Sequence, residues 1–158
     1  MCMKFFVLLL FLINCLLTIS SEEAIKKSLV WHTDLDIALK SSKETKKNVL
    51  MVFSGSDWCL NCIKLKKNVL SSPAFETYAS EELTLLLLDF PSDKVNALPE
   101  KQSKKNEALA EKYNKEGTFP LVIILSPEGK VIGEIKSYIN ESPEKYIQII
   151  KDLMVKKP

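Results

Sequence analysis

The chain has 158 residues, 46% of them hydrophobic, and its 22 basic against 20 acidic side chains leave a formal charge of +2. That length fits one domain, and a charged fraction of 27% beside abundant Leu, Ile and Val excludes a disordered polyelectrolyte. All 22 basic residues are Lys, which excludes a guanidinium fork for phosphate or carboxylate; the small, evenly spread charge excludes nucleic-acid binding as the main task, and the single His32 excludes a multi-histidine metal site.

The first twenty residues read as an address. One positive charge in residues 1–4 precedes nine unbroken apolar residues at 5–13, and the polar run Ser20-Ser21-Glu22-Glu23 follows soon after. A bilayer span needs about 20 apolar residues, so the stretch is expected to be a secretory signal peptide cut after Ser20 or Ser21. Residues 21–158 then form the mature domain. Leu12-Ile13-Asn14-Cys15 also resembles a bacterial lipobox, which would place the cut before Cys15 and attach lipid there, although Asn14 departs from the usual small residue. Cys2 and Cys15 fall in this segment, leaving Cys59 and Cys62 as the cysteines of the domain. One Cys-x-x-Cys pair in an exported domain points to chemistry rather than to a disulfide framework.

Along the mature chain, residues 34–40 open a helix that Thr33 or Asp34 can cap, with Trp31 and His32 leading into it. Residues 49–53 are a continuous apolar run, the pattern of a strand buried on both faces. A Ser54-Gly55-Ser56-Asp57 turn follows, and a helical stretch begins at Cys59 with Ile63, Leu65, Val69 and Leu70 as its apolar positions. Ser72-Pro73 restarts a helix. Residues 83–90 form the second buried strand, 91–100 a loop, and 103–115 an amphipathic helix closed by Gly117. The third strand covers 120–125 and is joined by Pro127-Glu128-Gly129-Lys130 to a strand at 131–135, an antiparallel hairpin. Ser142-Pro143 caps a last helix with Tyr146, Ile147, Ile150 and Leu153 on one face. The Lys clusters at 43–47 and 101–105 read as solvated faces. Strands alternating with helices require an α/β fold, a central mixed sheet with helices on both faces.

The chemistry is expected at Trp58-Cys59-Leu60-Asn61-Cys62, just after the first buried strand. Two Cys at this spacing can close a disulfide across one helical turn. The first meets unpaired backbone N–H groups and the positive end of the helix dipole, which favour thiolate over thiol. Cys59 is therefore the more exposed nucleophile, and Cys62, one turn in, resolves the mixed disulfide. Half of a zinc site is the competing reading, but only His32 and carboxylates could complete the four ligands. Haem attachment needs His where Ile63 stands. Thr118-Phe119-Pro120 leads into the third strand, where Pro removes a ladder donor. A cis Phe119–Pro120 bond would leave the preceding backbone free to pair with a substrate strand, but cis occurs at only about 5–6% of X–Pro bonds.

A strand, then Trp-Cys-x-x-Cys at a helix start, then an aromatic residue before Pro, resembles the thioredoxin superfamily. Residues 53–65, Asp89-Phe90-Pro91, Asn106-Glu107-Ala108-Leu109 and Gly129-Lys130 are similar to exported bacterial thioredoxin-like proteins related to the disulfide-reducing domain of the thiol:disulfide interchange family. The resemblance implies a thioredoxin fold, attack by Cys59, resolution by Cys62 and a cis-Pro at Pro120. It also implies no cofactor, no metal, and protein disulfides as substrates. Trp58, Thr118, Phe119 and Pro120 would flank the substrate groove. The expected activity is an exported, periplasmic thiol–disulfide oxidoreductase working as reductase or isomerase, supplied by a membrane electron-transfer partner. No spare length remains for a dimerisation segment, so a monomer is expected. The alternative is a non-catalytic scaffold that holds Cu(I) or docks a partner, and no Met or His cluster near Cys59 favours it. One departure stands out. Thioredoxins carry a buried Asp in the strand before the active site, yet Val52 occupies the matching place and Asp57 lies in an exposed turn. Proton transfer from Cys62 then relies on water or on another residue.

Overall fold

The structure, a computed structural model, describes residues 29–155. The signal peptide, Cys15 and the proposed cuts lie outside the described residues. In chain order the elements are β1 (Trp31–His32), α1 (Leu35–Thr45), β2 (Asn48–Ser54), α2 (Leu60–Leu65) running into a π turn (Lys66–Leu70), α3 (Pro73–Glu82), β3 (Leu83–Asp89), a 3-10 turn (Lys94–Asn96), α4 (Glu100–Tyr113), β4 (Leu121–Leu125), β5 (Val131–Lys136) and α5 (Pro143–Val155).

The five strands lie in the order β1-β3-β2-β4-β5. Strands β1, β3 and β2 run parallel, while β4 pairs antiparallel with both β2 and β5. The apolar runs are continuous because both sheet faces are covered. Val49, Met51 and Phe53 pack with Ala38 of α1 and with Leu109 and Tyr113 of α4. Leu50 and Val52 point the other way, onto Leu65, Val69, Phe75 and Ile150. Each fully buried aliphatic of these layers contributes about 1.5–3 kcal/mol.

The local signals act as expected at several ends. Asp34 is the N-cap of α1, its Oδ1 accepting from Asp36 N at 3.0 Å and Ile37 N at 3.3 Å. Ser72 caps α3 with Pro73 in its first turn. Gly129, at φ 82°, allows the turn between β4 and β5.

Three expectations are corrected. Trp31 and His32 form a strand of two residues beside Leu85 and Leu86, too short to show any periodicity. Helix α4 begins at Glu100 rather than at 103, because its first turn is polar and carries no apolar stripe. Ile63 is 42% exposed: Cys62, Leu65 and Val69 form the buried side of α2 and its π turn, so Ile63 shares the outer side with Leu60.

Candidate active site

The carboxyl ends of the parallel strands β2 and β3 lie level, with Ser54 paired to Asp89. The loops that leave them therefore meet at one end of the sheet, where open α/β sheets place their sites. Cys59, the N-cap of α2, sits in the first of these loops and is bonded to Cys62 as a disulfide, with Cα atoms 5.2 Å apart. Cys62 N donates to Cys59 Sγ at 3.2 Å. Both cysteines are buried as residues, Cys59 at 7% and Cys62 at 3% exposure. The preference for Cys59 as the outer thiol is thus slight in the oxidised state. The rim is apolar: Trp58 is 50% exposed, Leu60 64% and Ile63 42%.

Trp58 is held from three sides. Its Nε1–H donates to Phe90 O at 2.7 Å, and its ring meets Phe119 edge-on at 5.2 Å between centroids. Beneath it lies Gly55, where a Cβ would fall 2.3 Å from Trp58 Cε2. Glycine is needed there for space. Phe119 also meets Phe90 edge-on at 5.4 Å, so the aromatic groups of three separate loops interlock beside the disulfide.

The Phe119–Pro120 peptide bond is cis, and Pro120 is buried behind Cys62. Both backbone groups of Thr118, one residue before Phe119, are engaged within the chain. Asn114, buried at the end of α4, donates from Nδ2 to Thr118 O at 2.9 Å and accepts from Thr118 N at 2.8 Å. The sequence pattern offers no hint of this, since Asn114 reads there as an ordinary helix-end residue.

Asp57 sits in the turn as expected, but it also organises the neighbouring loop. Its carboxylate accepts from Ser92 N at 2.9 Å, Asp93 N at 3.0 Å and Asn96 Nδ2 at 3.0 Å. The Asn96 amide, then the two backbone N–H groups, hold the Asp57 carboxyl below the usual carboxylate range.

The family of thioredoxin-like domains matches residues 35–154. The chain belongs to the thioredoxin-like family. It is 35% identical over 108 residues to the disulfide bond reductase DsbH of Chlamydia pneumoniae, covering 68% of this chain and 63% of that protein. It is 34% identical over 123 residues to the thioredoxin-related protein DsbJ of the same organism, covering 78% of this chain and 34% of that protein. The chain thus spans less than two thirds of either curated relative. Among solved structures, a DsbH oxidoreductase superposes with a TM-score of 0.75 at 29% identity, over 89% of this chain and 94% of that one.

Behind the disulfide of this thioredoxin-like domain lies a cavity of about 230 Å³, bordered by Ser54, Cys62, Lys66, Asp89 and Pro120. Val52 is on the same wall and adds no polar group. Asp89 accepts from Ser56 N at 3.0 Å, Ser56 Oγ at 2.6 Å and Phe90 N at 3.0 Å. In the sequence Asp89 marks only part of a family-like motif. Its place on the same cavity as Cys62 follows from the register of β2 on β3, which residue spacing does not reveal.

Proposed function

We propose that this chain is an exported thiol–disulfide oxidoreductase that reduces or isomerises disulfides in other proteins. The observation that carries the reading is the Cys59–Cys62 pair at the N-cap of α2, with Cys62 N–H aimed at Cys59 Sγ. In the reduced protein this N–H donates to a Cys59 thiolate and favours it over the thiol. Cys59 attacks a client disulfide to give a mixed disulfide, and Cys62 then attacks Cys59 and releases the client. Trp58, Thr118, Phe119 and Pro120 flank the client chain, with Thr118 held through Asn114. The name of the relative from C. pneumoniae, a disulfide bond reductase, supports the reducing direction. Continued turnover as a reductase needs a membrane-borne supply of electrons. Export by the leader at 1–20, with attachment through Cys15 as the variant route, belongs to the same proposal. No helix among the described residues is long and apolar enough to cross a membrane.

The test is a Cys62→Ser trap in cells, followed by release of bound proteins with dithiothreitol. An oxidoreductase accumulates clients as mixed disulfides at Cys59. A scaffold that docks partners or holds Cu(I) accumulates none, and that result, together with failure to reduce insulin, overturns the proposal. Equilibration of the pair against glutathione or dithiothreitol sets the direction. A potential near the ~−270 mV of thioredoxin marks a reductase, and one near ~−120 mV marks a donor of disulfides.

A further inference from the structure

Cys62 is 3% exposed, so its thiol cannot hand a proton directly to bulk solvent. The cavity behind it is the open route, and at about 230 Å³ it has room for several water molecules. The strand position that carries an acid in thioredoxins is Val52 here. Two charged residues border the cavity, Lys66 and Asp89. Its serines, Ser54, Ser56 and Ser71, can relay a proton but not hold one, and the ammonium of Lys66 offers donors and no acceptor.

We infer that Asp89 takes up, through water in this cavity, the proton that Cys62 must lose before it resolves the mixed disulfide; the inference rests on the proposed roles of Cys59 and Cys62. Three donors fix the carboxylate in the cavity wall. It is only half-buried, so it can pass the proton on to solvent. Charged groups on the neighbouring elements do not replace it. Strands β2 and β4 carry none. His32 of β1 sits beside Leu86, three residues away along β3. Asp57 turns its carboxylate to Ser92, Asp93 and Asn96. Of the lysines on α2 and its π turn, Lys66 reaches the cavity and favours the Cys62 thiolate by its charge.

The step balances as follows. Cys62 Sγ–H gives its proton to water and on to the Asp89 carboxylate, which becomes a carboxylic acid. The Cys62 thiolate forms a bond to Cys59 Sγ, and the bond from Cys59 Sγ to the client sulfur breaks. The client sulfur leaves with the electron pair as a thiolate, so the client is reduced and the Cys59–Cys62 pair is oxidised.

The experiment follows reduced full-length protein carrying Cys2→Ser and Cys15→Ser, so that Cys59 and Cys62 are its two thiols, reacting with dithionitrobenzoate by stopped-flow. The first thionitrobenzoate released reports attack by Cys59, and the second reports resolution by Cys62. In Asp89→Asn the second phase is expected to slow by roughly 10- to 100-fold near pH 6, at or below the low end of what a placed proton acceptor contributes. The deficit should shrink as the pH rises and the thiol loses its proton with less help, while the first phase stays unchanged. Asp89→Glu, which keeps a carboxylate, should recover most of the rate. An unchanged second phase overturns the inference. So does slowing by one factor at every pH, which would mark a merely structural role. Release of one thionitrobenzoate only would overturn the assigned role of Cys62 itself, and the inference with it.

Discussion

The indole N–H of Trp58 donates to the carbonyl of Phe90 at 2.7 Å, joining the turn before Cys59 to the loop that leaves β3. Two neighbours repeat the pattern. Ser56 donates to Asp89, and Asp57 accepts from Ser92, Asp93 and Asn96. Three consecutive residues of one loop therefore bind a short run of the other. The rim of the site is a double loop held by its own hydrogen bonds.

Gly55 is the floor of that rim. Gly55→Ala puts a Cβ 2.3 Å from Trp58 Cε2, so the indole must leave and give up both its bond to Phe90 O and its contact with Phe119. The expected cost is about 1–3 kcal/mol, as for other overpacked sites. The midpoint of urea unfolding checks it. An unchanged midpoint would mean that the ring moves aside freely.

Asp57 makes stability depend on pH in a defined direction. Its folded pKa lies below the ordinary value of about 3.9. Its contribution is therefore complete above that ordinary value and disappears as the pH falls through the folded one. Wild type should exceed Asp57→Asn in stability at neutral pH, and the gap should close in acid. Paired urea titrations at neutral pH and at about pH 3 would reveal a gap of the opposite trend.

Asn114→Ala removes both hydrogen bonds to the Thr118 backbone while leaving those groups in a partly buried loop. A loss of about 1–3 kcal/mol is expected, the cost of leaving such groups without partners. The reaction of Cys59 with a client disulfide should slow as well, since Thr118 leads directly to Phe119 and Pro120. Chemical denaturation and single-turnover insulin reduction measure the two effects separately.

Tyr146 tests the opposite sign. Its hydroxyl is buried without a hydrogen-bond partner, and burial, then the charge of Glu141, pushes its pKa above the usual phenol range. Tyr146→Phe should stabilise the fold by about 1 kcal/mol by removing an unpaired polar group. Because the folded pKa is raised, the wild type also loses stability as pH climbs past about 10, the unfolded phenol value. The variant should lose less over that range. A drop in its thermal midpoint at neutral pH would contradict the assignment.

Much of this molecule was legible along the chain. Residues 49–53 and 120–125 are apolar throughout because helices cover both faces of the sheet, and such a run reads as a buried strand without further information. Asp34, Ser72 and Pro73 announce helix starts because capping depends on neighbours two or three residues away. The pairing of Cys59 with Cys62 is legible for the same reason: one helical turn brings them together. These are local relationships, and local relationships survive in a linear string.

The other relationships depend on distant residues sharing one end of the sheet. The two-residue strand β1 exists because β3 offers it an edge, and its own residues carry no pattern. Ile63 and Leu60 face outward because the face of α2 that carries Cys62 and Leu65 is taken by the core. Asp57 acquires partners 35 to 39 residues away, and Asn106 is buried with its Nδ2 donating to Asp89 O at 2.8 Å. Asp89 lines the same cavity as Cys62 because β2 and β3 are parallel and in register at Ser54. Hydrogen bonds and cavities of this kind are properties of packing between strands, and no period of the sequence encodes them.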